Sequence, residues 1–377
     1  MTNNNCQLRD DLKAITVNIF FEASALNRDE KLGGNIPSIK KLTRFGNRTF
    51  GYISRVAMRH YLFETLSKSP FTKDGWMPAT CIESGAGDNK VVQFDLRSQN
   101  ILTHAELDAF GYMFTIGGQS SITRKAAVGI TKAVALETWE GDMQFNANHD
   151  LAQRCRSNPN PVNKEEQKSF FKVSFTIDID KLGYDEWWIE GDDYDGATKK
   201  LTLNLSKEVR QSLDDVEEKD GAEEKDRKVY IKKRENNTVG EIIIETKDSK
   251  KKVIFRLDDK KKKERLCQIL EVLKNGLIYH ASGENYGIVP QFIIAAGLKL
   301  PIPLFNSFVE IGSFEDSILD NAYILCKDGR RLVYVYNPKN LVGQIKISEL
   351  YTDWNEFLKK LGVKENGTSS QNQNTSA

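Results

Sequence analysis

Two segments in which apolar residues recur at every second position constrain the fold of this 377-residue chain most strongly. The clearer one runs from Phe171 to Ile179, where apolar residues alternate strictly with polar ones. A similar pattern covers Ile15–Phe21. Side chains two apart on a strand share one face of the sheet. The alternation therefore predicts two strands, each with one face against a core.

Two further segments have the spacing of amphipathic helices, Ser54–Ser67 and Leu266–Leu277. With additional strands predicted around them, the element order favours an α+β fold with helices on one face of a sheet. A modified RRM or ferredoxin-like core, of the β-α-β-β-α-β type, is the most economical assignment. The RNP1 pattern of ordinary RNA-recognition motifs is absent, so this assignment depends on topology alone.

Composition divides the chain into four parts. Residues 1–185 and 264–365 carry the predicted core elements, the first part with a basic loop and a thumb-like segment. Residues 186–263 are rich in lysine and acids and are predicted to form a charged inserted lobe. Residues 366–377 are small and polar, which predicts a disordered tail.

The formal net charge of +1 hides blocks of opposite sign. Residues 178–226 carry a net −10 and residues 227–265 a net +8. Residues 31–60 contain seven Lys and Arg residues and no acid. This last block also interleaves aromatic residues and glycines with its cations, as binding of a phosphate chain with splayed bases requires. A solvated surface loop is the alternative interpretation.

Specific side chains of this block and of a later basic turn are candidates for contacts with phosphate or ribose. Arginine forks in a helix can bind phosphate with two hydrogen bonds, and lysines in a loop can do so as point charges. Polar side chains nearby can bond to phosphate or to a 2′-hydroxyl. The candidates are Asn35, Lys40, Lys41, Arg44, Arg48, Ser54, Arg55, Arg59, His60, Thr123, Arg124 and Lys125.

The sequence has no positive signal for catalysis, for a metal site or for a cofactor. Its four histidines and five cysteines form no zinc pattern, and no nucleotide-binding glycine motif occurs. Scattered cysteines fit a reducing cytoplasm, and no apolar stretch approaches the length of a membrane span. We therefore predict a cytoplasmic protein that is not an enzyme. Asp142, in a predicted loop, is the one residue that keeps an RNA endonuclease as an alternative.

Three segments carry a resemblance to a known family. They are GGNIPSIKKLTRFGNRTFGYISRVAMRH (residues 33–60), ITRKAAVGITKAVALETWEGDMQFNANHDLA (122–152) and FFKVSFTIDIDKLG (170–183). Together they resemble the DevR family of CRISPR-associated proteins, the backbone subunits of the type I-B Cascade surveillance complex. The resemblance extends over about residues 1–183 and 264–345, and the 186–263 lobe lies outside it.

The resemblance implies a non-catalytic subunit that binds CRISPR RNA through its phosphate-ribose backbone. Copies would stack head to tail along one guide, beside other Cascade subunits, and present the guide for pairing with target DNA. The turn at residues 123–125 would belong to a thumb that touches the RNA of the neighbouring copy. The alternatives are a sequence-specific DNA-binding regulator and the endonuclease that uses Asp142.

Overall fold

The computed structural model of the protein describes residues 8–28, 37–70, 72, 75–85, 90–116, 121–219, 226–248, 250–281, 284–343, 345 and 349–364. The first strands are β1 (Ala14–Ser24), β2 (Lys41–Arg44), β3 (Arg48–Ile53), β4 (Cys81–Ser84), β5 (Val91–Phe94), β6 (Tyr112–Phe114), β7 (Ile122–Arg124), β8 (Val128–Ile130) and β9 (Ala133–Ala135). They are followed by β10 (Met143–Ala147), β11 (Pro161–Glu165), β12 (Lys168–Asp178), β13 (Tyr184–Ile189), β14 (Gly191–Asp195), β15 (Lys200–Asn204), β16 (Arg210–Leu213), β17 (Val216–Glu218), β18 (Arg227–Arg234), β19 (Asn237–Lys247) and β20 (Lys250–Leu257).

The last strands are short, apart from one. They are β21 (His280–Ala281), β22 (Glu284–Asn285), β23 (Phe292–Leu298), β24 (Val309–Glu310), β25 (Ser313–Phe314), β26 (Cys326–Lys327), β27 (Arg330–Arg331) and β28 (Val333–Tyr336). The α-helices are α1 (Arg55–Lys68), α2 (Ala105–Phe110), α3 (His149–Arg154), α4 (Asp259–Asn275) and α5 (Trp354–Lys360). Short 3₁₀ turns lie at Phe45–Asn47 and Asp316–Asp320. The mixed content agrees with the predicted α+β class.

The central sheet has the strand order β2-β3-β9-β12-β1-β23-β28, and β8 also pairs with β12. All of its strand pairs are antiparallel. In the chain, α1 lies between β1 and β9, and α4 lies between β12 and β23. The two alternating segments of the sequence are thus neighbours, since β1 and β12 pair along their full length.

One face of this sheet is mostly apolar. Odd-numbered residues of β1 and β12, such as Val17 and Phe175, are buried in the largest core cluster with residues of α1, α4 and α5. The even-numbered residues face the other side. There, Phe20 packs with β23, β28 and the chain after β23 in a separate cluster. The neighbouring even positions Asn18, Lys172 and Ser174 are polar although they are buried.

The inserted lobe shares its core with an earlier part of the chain. Its five-stranded sheet has the order β13-β20-β19-β18-β17, and a three-stranded sheet β14-β15-β16 accompanies it. Buried Trp187, Leu203 and Phe255 form this core together with Leu96 and Phe114, which come from the chain between α1 and β7. The lobe is therefore attached to the first part of the chain by shared apolar packing.

Glycine, proline and asparagine predict loops over residues 27–50 and 139–167, but both segments contain regular structure. Within residues 27–50, the predicted loop is wrong for residues 41–50, which form β2 and the start of β3 at the sheet edge. Within residues 139–167, β10 and β11 pair with each other, and α3 joins them. β2 and β3 carry exposed cations at the sheet edge and lack the alternation that identifies half-buried strands, which explains the first miss. Among the described residues, no helix combines the length and apolarity that a membrane span requires.

Candidate nucleic-acid interface

The basic block of the sequence folds into a hairpin at the edge of the central sheet. β2 pairs with β3, and Arg44 lies directly opposite Arg48 across the two strands. Between them the chain turns through Gly46 and Asn47, which both have positive φ (78° and 56°). Glycine adopts this backbone region without strain, and asparagine tolerates it better than most residues. The turn therefore fixes two exposed arginines side by side at the hairpin tip.

This pair of arginines is unfavourable in the protein alone. Like charges directly opposite each other on an antiparallel pair destabilise the sheet. In the described part of the chain, neither Arg44 nor Arg48 forms a salt bridge, although Arg44 lies 5.5 Å from the centre of the Phe50 ring. An anion between the two guanidinium groups would remove the repulsion. The hairpin tip is therefore the clearest candidate for a phosphate contact.

Two adjoining depressions, of about 480 and 290 Å³, lie beside the hairpin and share Arg44 and Glu310. We call them together the hairpin groove. Their lining comes from the hairpin, from the β8–β9 region, from β12 and from the chain around β24. It consists of Arg44, Arg48, Phe50, Thr131, Lys132, Val134, Leu136, Glu137, Thr138, Lys172, Asn306, Ser307 and Glu310.

The floor of the hairpin groove includes a buried lysine on the polar face of β12. Lys172 Nζ donates hydrogen bonds to the carbonyl oxygen of Val309 (2.9 Å) and to Glu310 Oε1 (2.8 Å). Burial lowers the pKa of Lys172, and the Glu310 carboxylate opposes that shift. Next to it, Ser174 Oγ accepts from Asn18 and donates to Asn306. This network holds the 306–310 segment against the sheet and shapes the groove.

Cations and aromatic rings alternate along the hairpin, as the sequence pattern indicates. Lys132 Nζ lies 4.7 Å from the centre of the Tyr52 ring, and Lys132 is exposed. Lys41 differs, because its Nζ bonds to both carboxylate oxygens of Glu165 (2.8 and 2.7 Å) and lies 3.9 Å from the centre of the Trp139 ring. Lys41 therefore joins the hairpin to β11. The half-buried Lys40 contributes its backbone, which bonds to Asn27 and Tyr52.

The hairpin leads directly into α1, whose first residues have separate roles. Ser54 is the N-cap, and its Oγ accepts a hydrogen bond from Ala57 N (3.2 Å). Arg55 is exposed and forms no ion pair with any residue that the structure describes. Arg59 instead lies 4.9 Å from the centre of the Phe110 ring and 3.4 Å from Glu106. Burial lowers the pKa of Arg59, and Glu106 counteracts this.

His60 also has a neighbour within the protein. Its Nε2 lies 3.5 Å from Glu64 Oε2, and its side chain is largely exposed. The i, i+4 spacing of Arg55 and Arg59 predicts a shared face, and the structure separates them by burial. Of these α1 side chains, Arg55 and His60 remain open to solvent.

The predicted contact with RNA does not fit the position of Arg124. This residue is 8% exposed. Its Nη2 bonds to Asp108 Oδ1 and to the carbonyl oxygens of Lys181 and Tyr184, at 2.7 to 3.1 Å. Its Nη1 donates to the carbonyl oxygens of Leu107 and Asp108. The guanidinium is already fully engaged and shielded from solvent, so Arg124 stabilises the interior instead.

Four predicted residues remain, Thr123, Lys125, Asn35 and Asp142. Thr123 and Lys125, on either side of Arg124, are exposed. Asn35 lies outside the described residues. Asp142 is exposed before β10, and within the described ranges no three His, Cys, Asp or Glu side chains are grouped in a way that could hold a metal ion.

A family model described as "CRISPR-associated negative auto-regulator DevR/Csa2" matches residues 15–321. The chain belongs to the DevR family. The matched range includes the whole hairpin groove and all of residues 186–263, although the sequence resemblance leaves that lobe out. The predicted family is thus confirmed.

Two solved structures are similar to this DevR-family chain over most of its length. One is a chain of a "CRISPR RNA-guided surveillance complex", with 8% identity, a TM-score of 0.42, and coverage of 93% of this chain and 98% of the other. The second, from a "CRISPR RNA-guided surveillance complex, pre-nicking", has 8% identity, a TM-score of 0.46, and coverage of 93% and 99%. No curated protein matches the sequence.

Several residues of the groove in this DevR-family protein are absent from the sequence prediction. Thr131, Lys132, Lys172, Asn306 and Glu310 all line it. Lys172 could have been recognised from the sequence, since it is a lysine on the polar face of the clearest predicted strand, between apolar neighbours. Asn306 and Glu310 could not, because only the tertiary fold brings the segment after β23 next to the hairpin.

Proposed function

We propose that this DevR-family protein is a backbone subunit of a CRISPR surveillance complex, of the type I-B Cascade kind, and that it holds the guide RNA in the hairpin groove. The observation that carries the proposal is the facing pair Arg44 and Arg48, exposed, without carboxylate partners in the described residues, and beside a polar groove. Membership of a CRISPR-associated family supports it.

The groove suits a strand that is held without reading its sequence. Phosphate and ribose contacts position a nucleic acid, whereas contacts to base edges specify it. Arg44, Arg48 and Lys132 supply charge for phosphates. Thr131 and Ser307 supply hydroxyls at the same site, within reach of a strand in the groove. A guide RNA carries its own specificity through base pairing, so a protein that grips only its backbone fits this role.

The strand order supports an RRM or ferredoxin-like core as the platform for this groove. In the order β9-β12-β1-β23, with α1 and α4 as the two connecting helices, the elements follow a β-α-β-β-α-β path. The hairpin β2-β3 then extends the sheet beside β9. We infer that this addition is the modification that supplies the cations.

A subunit that serves as a backbone must repeat along the guide. A heterologous contact between copies that does not close produces an open array, and the length of the RNA would limit the number of copies. Target DNA would pair with the exposed guide, and other subunits would complete the complex in the cytoplasm. In this proposal the protein does not cut.

Sedimentation velocity with single-stranded RNAs of increasing length tests the proposal. We expect particles whose mass rises stepwise with RNA length, and the same series for RNAs of unrelated sequence. A constant one-to-one complex at every length would contradict stacking along the guide. Failure to bind any single-stranded RNA would remove the proposal altogether.

The family description contains the words "negative auto-regulator", which favour a DNA-binding regulator as the second candidate. Footprinting on the duplex upstream of the protein's own gene distinguishes the two. Protection of one sequence without RNA would favour regulation.

The third candidate, an RNA endonuclease, is tested by incubating the protein with paired RNA and a divalent metal. Cleavage that disappears in Asp142→Asn would overturn the non-catalytic role.

A further inference from the structure

A second concave site lies far from the hairpin in the sequence, between the inserted lobe and the core. It is a cleft of about 350 Å³. One wall is the end of the β18–β19 hairpin, residues 232–239, and the other is the first half of α4. The segment before α2, residues 102–104, and the residues Gly75, Met77, Asp215 and Leu257 complete the lining. None of its lining residues lines the hairpin groove.

The walls of this interlobe cleft carry many charged side chains. The cations are Lys232, Lys233, Arg234, Lys261 and Arg265, and the carboxylates are Asp215, Glu235 and Glu264. Glu217 and Asp108, which lie outside the lining, bind two of these cations, so an anion would be attracted by a cation that is still available and not by an overall excess of charge.

Most of these cations already have a partner. Lys233 pairs with Glu217, Arg265 with Asp108, and Lys261 with Glu264 at 3.0 Å. Arg234 is exposed at the end of β18 and has no ion pair with any residue in the described ranges. Its guanidinium offers five donors in a planar fork that matches the oxygens of a phosphate. Arg234 is therefore the anchor for an anionic group.

The inner part of the cleft is apolar. Leu102 and Leu257 are 5% and 3% exposed, and Val239 packs beside them against the lobe core. The half-buried imidazole of His104 adds a flat ring, with Nδ1 3.0 Å from Thr103 Oγ1. Burial lowers the pKa of His104, and the positive charges of Arg234 and Arg265 lower it further.

We propose that the interlobe cleft binds a nucleotide, with the base against His104 and Leu102 and the phosphate on Arg234. A ligand that has a flat apolar part and one anionic group matches an apolar interior with a cationic edge. The volume is near the lower end of the usual range for small-molecule pockets, roughly 300–1,000 Å³, and suits one nucleotide rather than a larger ligand. Stacking against a side-chain ring does not depend strongly on the identity of the base.

The start of α4 provides separate support. Lys260 to Lys263 are four consecutive lysines in its first turn. Cations at a helix N-terminus are unfavourable, because the partial charge of the helix dipole there is also positive. Asp258 caps the helix, and Asp108, Asp180 and Asp259 lie near Lys262, so carboxylates offset part of this charge. An anion in the cleft beside Lys261 would add to that compensation.

Isothermal titration of the full chain with 5′-AMP, adenosine and inorganic phosphate tests this inference. We expect AMP to bind at least tenfold more tightly than either part alone. Arg234→Glu should weaken AMP binding by about ten- to a hundredfold, the loss of a charge-assisted bond. The matched control is Arg227→Glu at the other end of β18, where Arg227 faces Glu245, and it should change binding less than about twofold.

Two results would overturn the inference. One is phosphate binding as tightly as AMP, which would indicate a simple anion site. The other is AMP binding that is absent or is unchanged in Arg234→Glu. His104→Ala supplies a second variant, because it should weaken AMP and adenosine but leave phosphate unaffected. Thermal unfolding checks that each variant is folded.

The nucleotide can come from solution or from a strand, and a second titration separates these sources. A short oligoadenylate is compared with AMP in a variant with Arg44→Glu and Arg48→Glu, which disables the hairpin groove. Tighter binding of the oligonucleotide indicates a strand, and equal binding indicates a free nucleotide. Both results uphold the site. The proposed guide function is tested independently of this site. Arg234→Glu should still form multimers on RNA even though it binds AMP less well.

Discussion

The arginines of the hairpin tip and those of the interior beside α2 differ in whether a carboxylate binds them. At the tip, Arg44 and Arg48 face each other in solvent, with no salt bridge among the described residues. In the interior, Arg124 and Arg265 both bind the fully buried carboxylate of Asp108. Sequence composition counts all four as basic residues. The comparison shows that the availability of a cation depends on whether the fold supplies its counter-charge.

The interior arrangement predicts the largest effect on stability. Arg124→Ala removes the donors from Asp108 and from four backbone carbonyls, and it leaves buried charge with fewer partners. Breaking a buried pair by removing one partner typically costs about 3–5 kcal/mol. We expect a loss of unfolding free energy of that size in urea titrations. Lys125→Ala, at the exposed neighbouring position, should stay within about 0.5 kcal/mol; equal effects in the two variants would contradict the distinction.

At the hairpin tip we expect substitutions to weaken RNA binding without lowering stability, in contrast to Arg124→Ala. Arg44→Glu with Arg48→Glu should weaken binding of single-stranded RNA by about a hundredfold, if each arginine contributes roughly tenfold. The slope of log affinity against log salt should fall by roughly 0.7 for each lost phosphate contact. Filter binding over a range of salt concentrations measures both quantities.

A single substitution sharpens this test. Arg48→Glu alone places a carboxylate opposite Arg44 and replaces repulsion with attraction. Opposite charges across a strand pair contribute about 0.2–1 kcal/mol. We expect a slightly more stable protein that binds RNA less well. If RNA binding were unchanged in both variants, the hairpin tip would be excluded from the interface.

Asp185 extends the interior region and gives it a pH dependence. Burial raises the pKa of Asp185 to about 6, although the nearby Arg124 acts in the opposite direction. Its Oδ2 also accepts hydrogen bonds from Tyr112 and Trp187. Because the folded-state pKa lies above the unfolded value of 3.8, the stabilising contribution of this group is complete below about pH 4. It is lost as the pH rises through about 6.

This loss can be measured with one variant and one control. In Asp185→Asn the decline in unfolding free energy between about pH 4 and 7, of order 2 kcal/mol, should disappear. The adjacent Glu186 is partly exposed, and hydrogen bonds from Tyr184 and Lys252 lower its pKa. Glu186→Gln should therefore have a smaller effect of opposite sign, a loss of stability above about pH 4. A decline that persists in Asp185→Asn would assign it to other groups.

The sequence allows the central sheet to be predicted much better than the groove. Strand alternation identifies β1 and β12, and helical spacing identifies α1 and α4, because each of these elements has one continuous apolar face. The prediction that only one face of β1 and β12 is covered is wrong, since most of their residues are buried. The hairpin β2-β3 could not be predicted from the sequence, since its exposed cations do not alternate with buried apolar residues. The partners Glu165 and Glu310 lie 124 and 138 residues along the chain from Lys41 and Lys172, and Asp108 lies 16 residues before Arg124 on a different element. Whether Lys41, Arg124 or Lys172 is free therefore depends on tertiary contacts that composition does not contain.

The smallest predicted effects separate two residues on the first turns of α1. Arg55→Ala should flatten the salt dependence of RNA binding by roughly 0.7 and leave stability within about 0.5 kcal/mol, because Arg55 is exposed. Arg59→Ala should instead cost about 0.5–1 kcal/mol of stability, through the lost contact with Phe110. Binding and urea titrations on both single variants measure this separation. Should Arg59→Ala flatten the salt slope as much as Arg55→Ala, then Arg59 leaves Phe110 to bind the strand, and the division between structural and available cations would not hold for α1.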